Sequence, residues 1–261
     1  MTKPERHEML MSMIAQQPDI SVPEMSRAVG VSEVTIRKDL TQLAEEGKVK
    51  RSYGKVSLIR GTIVSSNTSC FIPPEYQNDY IKKQQIGLLA AEMVSDEDFI
   101  YIGPGYTCLE VANNLRRHQR LSIITTNVSA AIELSEVPEF KLMLAPGDFT
   151  KRNGTYYVTG PSTAKYMEDL FVDKVFITAD GISLERGLSI LDEVTGQIFK
   201  TLIKPSTKVI VCAVGSKFSR NALTVLGDLS FANAIVTDVK PNDEFMEYFE
   251  THGIEVLYPG K

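Results

Sequence analysis

Ser32-Glu33-Val34-Thr35-Ile36-Arg37-Lys38-Asp39-Leu40-Thr41-Gln42-Leu43 is the stretch on which the reading of the whole chain turns. Ser32 has the side chain to cap a helix that runs to the neighbourhood of Gly47. Ile36, Leu40 and Leu43 fall on one stripe at helical spacing and belong to a core. Thr35, Lys38 and Gln42 point the opposite way, with Arg37 and Asp39 on the flanks. A helix that reads a DNA groove needs this division, one face for anchorage and the other offering donors and cations to bases and phosphates. Free backbone N–H groups at its start, beside Ser32 and Thr35, also attract phosphate. Asp39 would be repelled by phosphate, so it reads as structural, a partner for a nearby arginine.

The flanking sequence completes a small domain. Lys3 to Gln16 carries Met9, Leu10, Met13 and Ile14 at helical spacing, and Pro18-Asp19 ends that helix. Ser21 can cap a second short helix with Pro23 in its first turn and Met25, Ala28 and Val29 inward. Gly30 supplies the turn into the third. Lys48 to Leu58 then forms two short alternating runs around Tyr53-Gly54, a two-stranded wing on which Arg51 and Lys55 would hold the DNA backbone. The expectation is a winged helix-turn-helix over residues 1–60, with the helix-turn-helix at about 20–46 and the wing at 48–58. A polar linker over 61–76 follows, marked by Ser65-Ser66-Asn67-Thr68-Ser69 and Pro73-Pro74.

Charge supports this division. The 261 residues carry a net charge of −5, yet the first 60 hold ten Lys and Arg against eight Asp and Glu. Arg37 to Arg60 alone has seven basic residues against three acidic ones. A basic end on an acidic protein suits docking of that end onto DNA. No apolar run approaches the roughly 18 residues that span a bilayer, and the polar N-terminus is unlike a secretory signal. Three widely spaced cysteines, Cys70, Cys108 and Cys212, resemble neither a disulfide framework nor a zinc site. A cytoplasmic protein without metal or cofactor is expected.

From residue 77 to 261 the pattern changes to short apolar strands alternating with helices. Strands are predicted at Phe99–Ile102, Leu121–Thr125, Lys141–Ala145, Lys174–Thr178, Lys208–Ala213 and Ala234–Thr237. Helices are predicted at Gln84–Val94, Leu109–Arg117, Thr163–Leu170 and Glu193–Ile203. This predicts an α/β fold overall: the small winged helix-turn-helix, then a larger Rossmann-like, mostly parallel sheet covered on both faces. The loops after such strands gather at the carboxyl edge, where ligands bind. Gly103 and Gly105 would let backbone N–H groups approach an anion, and Thr107 adds a hydroxyl. Asn127, beside Thr126, offers donor and acceptor to a polyol. Asp180 can accept from sugar hydroxyls, and Lys217 supplies a compact charge for phosphate. Lys151 with Arg152, after Gly147, is a second cationic candidate. Glu193 is a helix-dipole acid or a site acid. The bland alternatives are a plain tight turn at Gly103–Gly105, a helix-capping Thr126 and a solvated Lys217.

Arg6, Leu10 and Ile14, then Ser32 and Thr35-Ile36-Arg37-Lys38-Asp39-Leu40, resemble the N-terminal signature of the DeoR family of bacterial transcription regulators. Gly47 and the basic wing ending in Tyr53-Gly54 are similar as well. Further on, Thr126-Asn127, Gly147, Gly160-Pro161, Asp180-Gly181-Ile182, Gly187, Glu193 and Ser216-Lys217-Phe218 resemble family positions. The resemblance implies a C-terminal domain similar to ribose-5-phosphate isomerase, glucosamine-6-phosphate deaminase and CoA transferases, binding a phosphorylated sugar or related metabolite without turning it over. Two places depart from the family. Gly103 stands where an Asp is usual, with Tyr106 in place of a small hydroxyl residue, and Val214 replaces an Asp three residues before Lys217. Tyr106 would stack on a ligand or fill its space.

The expected function is a DNA-binding regulator, a repressor of a carbohydrate-utilisation operon, acting on double-stranded operator DNA as a homodimer or homotetramer. One alternative is a sugar-phosphate isomerase or deaminase carrying a DNA-binding module, with Asp180 or Glu193 as base. Another is a regulator blind to any effector.

Overall fold

The computed structural model describes residues 3–16, 20–45, 49–52, 55–58, 80–152 and 155–260. The predicted linker over 61–76, the Tyr53-Gly54 turn and Cys70 lie outside them. The chain divides into two compact units, Met1–Tyr76 and Gln77–Lys261.

In the first unit, helices α1 (Lys3–Gln16), α2 (Val22–Val29) and α3 (Glu33–Glu45) precede strands β1 (Val49–Ser52) and β2 (Lys55–Leu58). Its core is Leu10, Ile14, Met25, Val29, Ile36, Leu40, Leu43 and Val49. Full burial of such a side chain stabilises by roughly 1.5–3 kcal/mol. The entries of α2 and α3 are chemically marked. Ser21 and Glu24 form a reciprocal capping box at α2. Gly30, at φ 74°, ends α2 and donates to Ser26 O. Ser32 Oγ accepts the Thr35 N–H at 3.2 Å and so opens α3. The wing strands are antiparallel, with Val49 opposite Leu58 and Ser52 opposite Lys55.

The second unit is an α/β layer structure. In order it has α4 (Tyr80–Ala91), β3 (Phe99–Ile102), α5 (Tyr106–Asn113), β4 (Ser122–Thr125), α6 (Val128–Ser135) and β5 (Lys141–Leu144). A hairpin of β6 (Asp148–Arg152) and β7 (Thr155–Thr159) and helix α7 (Pro161–Met167) follow. Next come β8 (Lys174–Ile177), β9 (Gly181–Ser183), β10 (Gly187–Ile190), α8 (Glu193–Leu202) and β11 (Lys208–Cys212). The chain closes with β12 (Thr224–Gly227), β13 (Ala234–Val236), α9 (Asp243–Thr251) and β14 (Glu255–Leu257).

Seven strands form one sheet in the order β14-β13-β11-β8-β3-β4-β5, and every pairing in it is parallel. From β3 the chain winds outward through β4 and β5. It then returns to the far side of β3 as β8 and winds outward through β11, β13 and β14. The reversal of direction lies between β3 and β8, and in open sheets of this kind ligands bind beyond the carboxyl ends of the strands at that point. Tyr101, Ile124, Val175, Val211 and Ile235 pack with Met167 of α7, Phe199 of α8 and Phe249 of α9 on one face. The alternate residues, such as Ile100, Ile123, Phe176 and Ile210, are buried too, so the sheet is covered on both sides.

Three predicted helices shift. The first begins at Tyr80, not Gln84, and its tail at Met93 and Val94 tightens into turns bonded three residues back. The second begins at Tyr106, because Gly105, at φ 97°, ends the loop there, and Leu115–Arg117 is a separate 3-10 turn. The third begins at Pro161, whose fixed φ suits a first helical position, and ends at Met167. Two antiparallel additions were not predicted. One is the β6–β7 hairpin, and the other is a three-stranded sheet in the order β12-β10-β9.

Candidate functional site

Two surfaces carry the chemistry. On α3, Lys38 and Arg37 are exposed, and Thr35 and Gln42 are half-buried. Ser32 Oγ and Thr35 Oγ1 are 2.9 Å apart at the helix start. Arg37 Nη2 is 2.7 Å from Glu33 Oε2, an exposed pair one turn apart. Such pairs contribute only about 0.3–0.5 kcal/mol, so a phosphate can replace the glutamate at little cost. Asp39 is turned inward onto Arg6 of α1, Nε to Oδ2 2.6 Å, as the sequence had suggested for a structural carboxylate with an arginine partner. Arg51 and Lys55 lie on β1 and β2, where Arg51 pairs with Val56 and Lys55 with Ser52.

At the sheet's carboxyl edge, the backbone of the β3 loop presses on β8. Gly103 N donates to Phe176 O at 2.9 Å. A Cβ at Gly103 would stand 2.9 Å from that same oxygen, so the carboxylate usual in the family has no room in this packing. Asn127 clamps the loop: its Nδ2 donates to Gly105 O at 3.0 Å and to Gly103 O at 3.4 Å, and its Oδ1 accepts Ala130 N–H. Asn127 is fully buried. In this arrangement its amide holds the loop and caps α6, leaving little for a polyol. Thr126 Oγ1 is likewise buried, 2.8 Å from Tyr101 Oη. Tyr106 and Thr107 are buried in the first turn of α5. Cys108 follows them, and burial pushes its thiol up to about 12, which keeps it protonated.

Asp180, at the carboxyl end of β8, and Lys217, at the end of the Gly215–Lys217 turn after β11, are 3.5 Å apart, Oδ1 to Nζ. Asp180 Oδ2 also accepts Leu191 N–H at 2.9 Å. Gly181 is required by crowding, since a Cβ there would meet Arg220 O at 2.6 Å and Ser189 Oγ at 2.7 Å. These loops lie on adjacent strands, β3 beside β8 and β8 beside β11, so Gly103, Gly105, Asp180 and Lys217 share one stretch of sheet edge.

The remaining predicted residues stand elsewhere. Gly147 approaches Thr159 and Thr163 so closely that a Cβ would stand 2.1 Å from Thr163 Oγ1. Lys151 is exposed on the hairpin with its ammonium 5.0 Å from the Tyr156 ring centroid. Glu193 is exposed in the first turn of α8, one residue after the Asp192 cap.

Three residues that the sequence reading did not single out belong to the same edge. Asp238, just beyond β13, accepts Gly215 N–H at 2.5 Å and supplies a carboxylate beside the loop where Val214 lacks one. Lys82, in the first turn of α4, lies 3.7 Å from the other oxygen of Asp238. Lys83 is next to it in sequence. Among the described residues no group of three His, Cys, Asp or Glu side chains is arranged to hold a metal, and no helix is long and apolar enough to cross a membrane.

Comparison with known proteins gives the same division of the chain. The DeoR-like helix-turn-helix domain matches residues 6–62, and the DeoR C-terminal sensor domain matches residues 78–239. The glycerol-3-phosphate regulon repressor of Escherichia coli K12 is 28% identical, over 98% of this chain and 99% of the relative. The transcriptional repressor CsqR of the same strain is 26% identical, over 97% and 95%. Among solved structures, ribose 5-phosphate isomerase A of Methanocaldococcus jannaschii is similar to 54% of this chain over 54% of its own, with 19% identity and a TM-score of 0.36.

Proposed function

The chain belongs to the DeoR family of transcription regulators, and from that premise we propose that it is a cytoplasmic repressor of a carbohydrate or polyol operon. The two relatives described above are named as repressors and not as enzymes, and this chain acts as a regulator too. The first unit binds operator DNA through the exposed side of α3, with Ser32, Thr35, Arg37, Lys38 and Gln42, and through Arg51 and Lys55 of the wing. A single winged helix offers a small interface, so two half-sites are read by a homodimer or homotetramer.

The second unit binds a phosphorylated sugar or polyol at the β3/β8 crevice. One observation carries this: Asp180 and Lys217, in the paired loops after β8 and β11, share the sheet edge with the Gly103–Gly105 loop after β3. Backbone N–H groups and the ammonium suit a phosphate, while the carboxylate suits hydroxyls. The ligand favours the conformation that holds DNA less well, and linkage does the rest. The Gly103 and Val214 departures favour a second reading, a regulator without an effector, although Asp238 offsets the loss at Val214.

The test is fluorescence anisotropy of the full chain on an operator duplex selected from a random library. Glycerol 3-phosphate, ribose 5-phosphate and glucosamine 6-phosphate are added, each beside its unphosphorylated counterpart. Release by a phosphorylated compound alone is expected. Specific DNA binding that none of them changes, together with no rise in thermal stability, establishes the effector-blind reading. A strictly monomeric species in sedimentation, under conditions of specific binding, overturns the two-half-site arrangement.

A further inference from the structure

The first turn of α4 carries two adjacent lysines, and each reaches a different loop of the crevice. Lys83 Nζ stands 6.0 Å from the centroid of the Tyr106 ring, the first residue of α5 after the Gly103–Gly105 loop. Lys82 Nζ stands 3.7 Å from Asp238 Oδ2. The second oxygen of that carboxylate takes the N–H of Gly215, which opens the turn ending in Lys217. One helical turn is thus tied to the β3 loop by a cation–π contact and to the β11 loop through a carboxylate.

Lys82 and Lys217 each meet a carboxylate at this edge, Asp238 and Asp180, and Lys83 lies over the Tyr106 ring. The Asp238 side chain is 7% exposed. It already shows what the Gly215 amide and Lys82 can hold, namely an oxyanion between a backbone N–H and an ammonium. A phosphate monoester carries a larger charge, about −1.5 to −2 near neutral pH, and three acceptor oxygens. Arriving between the two loops, it competes with Asp238 for Lys82 and with the Tyr106 face for Lys83.

We propose that Lys82 and Lys83 read the ligand's negative charge together with Lys217, and that their transfer to the ligand couples the crevice to DNA affinity. The proposal rests on the effector reading above. It deepens that reading by naming the helix that responds. α4 is the first described element after the segment between the two units. A change in what holds its first turn therefore acts on the chain directly next to that segment. A ligand that engages these lysines in only one state shifts the balance between states by its differential affinity.

The experiment uses the full chain, with the double variant Lys82→Gln/Lys83→Gln beside wild type and the charge-keeping Lys82→Arg/Lys83→Arg. Calorimetric titration is run with inorganic phosphate and with the three sugar and polyol phosphates named above, each against its unphosphorylated counterpart. Release of operator DNA is followed by anisotropy at ligand concentrations that saturate each protein. The Gln variant should bind phosphorylated ligands more weakly by on the order of tenfold or more, with unphosphorylated ones unaffected. At saturation it should show a smaller ratio of DNA affinities without and with ligand, and the Arg variant should recover much of both. A Gln variant that binds and releases like wild type overturns the proposal. Phosphate affinity that falls while the release ratio at saturation stays intact overturns the coupling. Failure of every phosphorylated probe to bind wild type sinks the effector reading itself, and this proposal with it. If the Gln double variant does not fold, judged by circular dichroism, the two single variants carry the same readouts.

Discussion

Arg6 on α1 and Asp39 on α3 form a two-point ion pair, with Nε 2.6 Å from Oδ2 and Nη2 3.3 Å from Oδ1. His7 Nε2 lies 3.1 Å from Oδ1 as well. Asp39 is 3% exposed, so the one aspartate of the reading helix is withdrawn from its outer side. The pair also ties α1 to α3 and fixes the angle at which α3 is presented. The Arg6 guanidinium holds the Asp39 carboxyl below its ordinary range, helped by His7.

Arg6→Ala should destabilise the DNA-binding unit strongly, because a buried carboxylate then loses its main partner. Adding Asp39→Asn should recover part of the loss, since the two changes are coupled. A depressed carboxyl contributes stability that is fully present above its unfolded value, about 3.9, and disappears as pH falls through the folded value. Hydrogen exchange of the α1–α3 amides between neutral and acid pH reads both effects. Independent, additive effects of the two substitutions would show that the pair does not hold the helices together.

Arg37→Ala/Lys38→Ala should weaken operator binding and flatten its salt dependence. Each phosphate contact removed lowers the slope of log affinity on log salt by about 0.9. Freeing Arg37 from Glu33 costs little, so the full contact is available to DNA. A folded variant with wild-type affinity and slope would remove this face from the interface.

Lys217→Ala should weaken phosphorylated ligands by on the order of 1.5–3 kcal/mol, with much less effect on their unphosphorylated counterparts. The variant also leaves Asp180 without its ammonium partner. Equal losses for both members of a matched pair in calorimetry would mean that Lys217 supports only the fold.

Glu110→Gln should stabilise the sensor unit at neutral pH. Glu110 is 5% exposed on α5, and burial pushes its carboxyl upward, with a smaller contribution from Glu133. A raised carboxyl keeps its proton in the folded state after the unfolded chain has lost it. Stability therefore falls as pH rises from about 4.3 through the folded value. The amide carries no charge to bury, and it can donate to Asn113 Oδ1, a buried acceptor with no partner. Thermal unfolding should show a gain at pH 7 that shrinks towards pH 4. A loss at pH 7 would show that Glu110 has an ionic role.

Much of this was legible in the chain. The inward stripe of α3 and the arginine partner of Asp39 follow from helical spacing and charge alone. The strand Phe99–Ile102 was read to the residue, because strands buried on both faces are uninterrupted apolar runs. The order of the strands was not legible. Nothing local to Lys174–Ile177 says that it docks beside Phe99–Ile102 rather than beside the strand just before it. The β6–β7 hairpin was missed because its first strand shows no inward face, with Asp148, Phe149 and Lys151 exposed, while Thr155, Tyr157 and Val158 are buried only in the second. Lys82 and Lys83 were missed by a four-residue error at the helix start, which left them off α4. Asp238 acquires its part only because β13 pairs with β11 and brings it to Gly215. The Gly103–Gly105 loop was placed correctly at the sheet edge. That Asn127 spends its amide on that loop could be seen only in three dimensions.

The order of strands in the sheet also sets the order in which the protein becomes able to do its work during synthesis. The described core residues of the DNA-reading unit lie between Leu10 and Val49, so it can close early, as domains at the leading end of a chain do. The strand β3 waits with one side unpaired until Lys174–Ile177 leaves the ribosome, and Lys217 and Asp238 come later still. A chain stopped before Lys174 therefore carries a finished reading head and a bare sheet edge of the kind that draws other chains to it. It has no ligand crevice through which a metabolite could take it off DNA.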